Sequence, residues 1–98
     1  MRSLRKNPEH ASHAASRMKA LGHPLRLQIV AILSETDAHV NALAEELDVP
    51  QSAVSQHLRI LRMEGLVDVV RKDGFAHYSL NEPKIKTLLS CMEGCKWG

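Results

Sequence analysis

Aromatic side chains are nearly missing from this chain: Trp97, Tyr78 and Phe75 are the only three. A core without them must be built from Leu, Ile, Val, Ala and Met, which suits packed helices. Cysteine is scarce too, with Cys91 and Cys95 alone, so a disulfide framework is excluded and both should be thiols in a reducing compartment. No apolar run approaches the roughly 20 residues that cross a bilayer. The basic start, Met1 to Lys6, lacks the apolar stretch of a signal peptide. These absences lead us to expect a cytoplasmic chain with no membrane partner. Also missing are a Gly-rich phosphate loop, a nucleophile elbow and an HExxH helix. A chain of 98 residues encloses no sizeable pocket. No catalytic residue is therefore expected, and an enzyme is disfavoured.

What is present amounts to one domain, 44% apolar over 98 residues, too apolar for a disordered chain. A domain this short gains from burying more surface in a dimer. The net charge of +2 says little, but its distribution is segregated. Residues 1–30 carry six Lys or Arg and one acid, residues 31–50 carry five acids and no Lys or Arg, and residues 51–63 carry Arg59 and Arg62 with no acid. Segregation of this kind suits one face turned toward a polyanion, although scattered solvated charge is the plainer reading of the counts alone.

Residues 1–7 read as a basic tail and residues 8–98 as the folded domain. Pro8 opens a helix whose stripe is Ala11, Ala14, Ala15, Met18 and Leu21, ending at Gly22. Pro24 opens a second, apolar on most sides from Leu25 to Leu33, and therefore central. A short third helix runs from Asn41, its expected N-cap, to Leu47, with Leu43 and Leu47 inward. Asp48-Val49-Pro50 makes a tight break, because Pro50 bars the α conformation at Val49. A fourth helix follows from Gln51 to Glu64, with Val54, Leu58 and Leu61 inward and Gly65 as its stop. Val-rich Leu66–Val70 and then Phe75–Leu80 read as strands joined by the hairpin dipeptide Asp73-Gly74. Pro83 starts a last helix with Ile85, Leu88, Leu89 and Met92 at helical spacing. The expected architecture is mainly α with a small β-hairpin, in the order α-α-α-α-β-β-α.

A short helix, a sharp turn and a second helix make a helix-turn-helix, whose second helix fits the major groove of duplex DNA. With Val54 and Leu58 inward, Ser52, Ser55, Gln56 and Arg59 point outward, beside Gln51 at the helix start. Gln can grip adenine and Arg guanine in bidentate fashion, and Ser suits phosphates or bases. His57 lies at the edge of the buried stripe, where it either packs or donates to a phosphate. A solvated face usually carries Glu and Lys; this one carries no acid. Arg71 and Lys72 are expected at the hairpin tip, along the DNA backbone or minor groove beside the helix, as a wing. The competing function is a winged helix that binds protein and never touches DNA.

Three ordered segments resemble the ArsR/SmtB-type repressor family. Leu21-Gly22-His23-Pro24-Leu25-Arg26-Leu27 is similar to its LGxPxRLxIL signature. Val49 to Leu58 is similar to its recognition segment LSQSxVSxHL, with Pro50 where many members have a capping Ser. Gly65-Leu66-Val67, Arg71 and Tyr78-Ser79-Leu80 are similar to its wing. The resemblance spans roughly residues 14–90. It implies a winged helix-turn-helix homodimer, joined through the first and last helices, that represses from a near-palindromic duplex operator. It also implies where an effector would bind. The paired-cysteine site of one family branch falls here on His39 and Asn41, and the zinc site of another falls on Glu82 to Lys84 and Cys91 to Lys96, where Lys84 is no ordinary ligand. That leaves Cys91 and Cys95, with His10 and His13 as candidate partners across the dimer. The two thiols fit interface filler, reversible oxidation, or a thiophilic metal or metalloid. A constitutive repressor without an effector is the remaining alternative.

Overall fold

The computed structural model describes residues 1–81 and 84–94. The elements are α1 (Arg2–Lys6), α2 (Pro8–Leu21), α3 (Pro24–Leu33), α4 (Val40–Leu47), α5 (Gln51–Met63), β1 (Val67–Lys72), β2 (Phe75–Leu80) and α6 (Lys84–Glu93). The order matches the expectation except at the start, where the basic tail is itself helical over Arg2–Lys6. Asn7 separates α1 from α2 in extended conformation, as the residue before a proline must. Its side chain then caps α2 by accepting the N–H of His10 at 3.1 Å.

Helix α3 is the axis of the fold. Ile29, Val30 and Leu33 are buried there, with Leu43 and Ala44 of α4, Val54, Leu58 and Leu61 of α5, and Leu66 and Val67 around them. Helix α2 adds only Ala20 to this core, while Met18 of its apolar stripe is 65% exposed. The stripe is offset because α2 touches the body through its C-terminal turn. Ser16 near that end donates to the Glu64 carboxylate at 2.6–2.8 Å.

Helix α4 begins one residue earlier than expected, and its N-cap is His39 rather than Asn41. The His39 Nδ1 accepts the N–H of Ala42 at 3.3 Å. The chain is fixed just upstream, where Ala38 and Tyr78 exchange backbone hydrogen bonds of 3.1 and 2.7 Å. That bridge sets the helix start and ties the hairpin to the helix-turn-helix. Helix α5 stops at Met63, with Glu64 in the cap position. Gly65 then takes φ +73°, a left-handed conformation that costs little only without a Cβ, and turns the chain into β1.

Strands β1 and β2 pair antiparallel from Val67↔Leu80 to Lys72↔Phe75. Asp73 and Gly74 both have positive φ, 53° and 82°, as a two-residue type I′ turn requires. Arg71 and Lys72 are therefore the last rungs of the ladder, not the tip itself. Because neighbouring strand residues face opposite ways, Arg71 lies on the face of Val67 and Val69, and Lys72 on that of Val70.

Candidate nucleic-acid interface

Helices α4 and α5 are joined by a turn that the sequence forces. Asp48 adopts the left-handed conformation at the end of α4, and Val49 returns its N–H to Ala44 O at 3.1 Å. Pro50, with extended ψ of 146°, then launches α5. It supplies no side-chain cap, so the N–H groups of Gln51 and Ser52 keep free hydrogen-bonding capacity, while that of Ala53 donates to Pro50 O at 3.1 Å. Burying Val54, Leu58 and Leu61 on one side fixes which side faces solvent.

Gln51, Ser52, Ser55, Gln56 and Arg59 are all exposed. The helical repeat sets Ser52, Ser55 and Arg59 in a row, with Gln56 beside it. Arg62 is also exposed and continues the row, three residues after Arg59 and seven after Ser55. Sequence reasoning counted its charge but left it out of the site, although the spacing was there to be read. Arg71 and Lys72 are exposed at the far end of the ribbon. The outer face of β2 leans over the start of α4, with the His39 ring 5.9 Å from that of His77 and 6.1 Å from that of Phe75.

His57 departs from this set. It is half-buried and stacks on His23, ring centroids 4.5 Å apart. The ring therefore packs, which is one of the two roles expected for it. Burial, then His23, then Arg26 lower its pKa from 6.5.

The expected effector positions are partly visible. Cys91 is exposed on α6, while Cys95 lies outside the described residues, as do Glu82, Pro83 and Lys96. His39 is engaged as a helix cap. His10 and His13 are exposed near the start of α2. Among the described residues no group of three His, Cys, Asp or Glu side chains is placed to hold a metal ion. None of their helices is long and apolar enough to cross a membrane.

A buried three-helix core, a helix-turn-helix with an acid-free outer face and a hairpin locked beside it define a winged helix-turn-helix DNA-binding regulator. The family model described as bacterial regulatory protein, arsR family, matches residues 23–69, from the start of α3 into β1. The chain is 30% identical to the transcriptional activator HlyU of Vibrio cholerae, over 92% of this chain and 83% of that one. It is 32% identical to the biofilm growth-associated repressor of Xylella fastidiosa, over 86% and 74%. The solved structure of Vibrio cholerae HlyU superposes with a TM-score of 0.81, covering 88% of this chain and 94% of that one. The repressor PagR of Bacillus anthracis superposes at 0.78 with 30% identity, covering 86% and 97%. The chain belongs to the ArsR family of bacterial transcription regulators, which are not enzymes.

Proposed function

We propose that the protein regulates transcription by seating α5 in the major groove of a near-palindromic operator, as a homodimer. The observation that carries this reading is the exposed row Ser52, Ser55, Gln56 and Arg59, free of acids. Gln56 and Arg59 read base edges, Ser52 and Ser55 allow close approach, and Gln51 meets backbone with the uncapped start of α5. Arg62 extends the backbone contacts, and Arg71 and Lys72 contact flanking phosphates from opposite faces of the wing.

The second copy packs on α2 and α6. Leu88 is 40% and Met92 37% exposed on α6. Beside them runs a groove of about 800 Å³ lined by Leu27, Ala31, Leu89 and Met92, among others. A two-fold dimer places the two reading helices on half-sites about 34–36 Å apart or a multiple of that. Occupying such an operator in the cytoplasm blocks transcription when it overlaps a promoter. The related proteins include both an activator and repressors.

The test is selection of bound duplexes from a random pool, followed by a salt series. A two-fold-related consensus and a steep inverse salt dependence are expected. A pool that stays random, or binding insensitive to salt, would favour a protein-binding module instead.

A further inference from the structure

The place where α5 is mounted on α3 carries an arrangement that DNA contact does not use. The Nδ1 of His57 is buried and has no hydrogen-bond partner among the described residues, and neither has the buried Nε of Arg26. The His57 ring lies against that of His23 at 4.5 Å and 44°. His23 is held in turn, since its Nδ1 accepts the N–H of Leu25 at 3.1 Å and so caps α3. That bond exists only while Nδ1 carries no proton. Two histidines and an arginine thus meet at the root of the helix that faces outward with the polar row.

We propose that His23, Arg26 and His57 form a proton-sensitive mount for the reading helix, whose neutral form holds α5 in its DNA-reading pose. The proposal rests on α5 being the reading helix. Imidazolium carries a hydrogen on both ring nitrogens. Charging His57 therefore places a buried donor without an acceptor beside Arg26, which costs free energy twice, by lost solvation and by repulsion. That step favours a looser seat for α5. The other elements packed on α5 bring charges of both signs: Glu9, His10, His13, Arg17 and Lys19 on α2, Glu45, Glu46 and Asp48 on and just after α4, and Asp68, Arg71 and Lys72 on β1. The charges that act on His57 are His23 and Arg26. Its low affinity for protons has the same origin, burial first, then those two neighbours.

The sign of the effect separates this role from a phosphate contact. A histidine that donates to phosphate takes up a proton on binding, so affinity rises as pH falls. A histidine in the mount must stay neutral, so specific binding falls. The experiment measures the ratio of affinities for a selected operator and an unrelated duplex, between pH 7.5 and 5.5. The ratio cancels the general electrostatic gain at low pH. We expect it to drop about 10-fold in the parent and to stay flat in His57→Phe, which keeps a ring on His23, and in His57→Gln, even if both variants bind less tightly throughout. A parent ratio independent of pH, or one that rises, overturns the mount, as does an equal drop in a folded variant. Histidine ring and backbone amide resonances of the free protein are followed over the same range. Protonation of His57 should shift the amides of α5, and titration without such a shift overturns the proposal even if no duplex binds. Absence of specific binding at pH 7.5 would sink the reading-helix assignment alone.

Discussion

The helix-turn-helix and the terminal helices are attached to the same core on unequal terms. Helix α5 presses Val54, Leu58 and Leu61 into it, each at most 1% exposed. Among the described residues α2 buries only Ala20 and α6 only Ile85 to a similar degree. At about 25 cal/mol per Å² of apolar surface, three branched side chains outweigh one Ala severalfold. The orientation of α5 is therefore set by core contacts within one protomer. The terminal helices keep Met18, Leu88 and Met92 in water, and a second copy would gain by covering them. One part of the chain fixes its outward face by its own core contacts, and another leaves its own packing unfinished.

The contrast can be broken most severely from inside. Leu58→Ala should lose about 2–5 kcal/mol in urea unfolding, whatever the protein concentration. A loss below about 1 kcal/mol would mean that α5 is not anchored as described. On the terminal side, Leu88→Glu should leave helical circular dichroism intact yet shift sedimentation to monomers, with operator affinity down at least about 10-fold. A variant that remains dimeric would move the interface elsewhere. Gln56→Ala acts on the reading face alone: it should cost about 1–3 kcal/mol and relax preference at one operator position. Unchanged preference at every position would remove Gln56 from the readers. Replacing Arg71 and Lys72 with Ala should weaken all duplexes alike and lower the salt slope by about 1 for each phosphate that is no longer neutralised. Weakening confined to one operator would make the wing a base reader.

The smallest effect is in stability against pH. With its pKa held below 6.5 in the folded chain, His57 binds protons more readily when unfolded. Its contribution to stability is complete above pH 6.5 and declines as pH falls through that value toward the folded pKa. Thermal unfolding from pH 7.5 to 5 should show a gentler slope for His57→Phe than for the parent, and equal slopes would assign the acid sensitivity to other groups.

Much of this was legible in the residues. Pro8, Pro24 and Pro50 mark helix starts, Gly65 and Asp73-Gly74 mark turns, and the Val54, Leu58 and Leu61 stripe fixes which side of α5 faces outward. These are local constraints of backbone sterics and helical repeat, and they act wherever the segment sits. The helical start at Arg2–Lys6 escaped notice because it has no apolar stripe. The cap of α4 was misplaced because the Ala38↔Tyr78 bridge, between segments forty residues apart in sequence, decides where that helix begins. The tertiary structure alone could also turn His57 inward onto His23, since the outcome depends on how α3 crosses α5. Sequence by itself determined most of the elements, the side of α5 that faces outward and the family. Only the packing of distant segments decided where α4 is capped, which histidine is half-buried against another, and which apolar side chains remain without cover. Those outcomes depend on contacts between parts of the chain that no local pattern encodes.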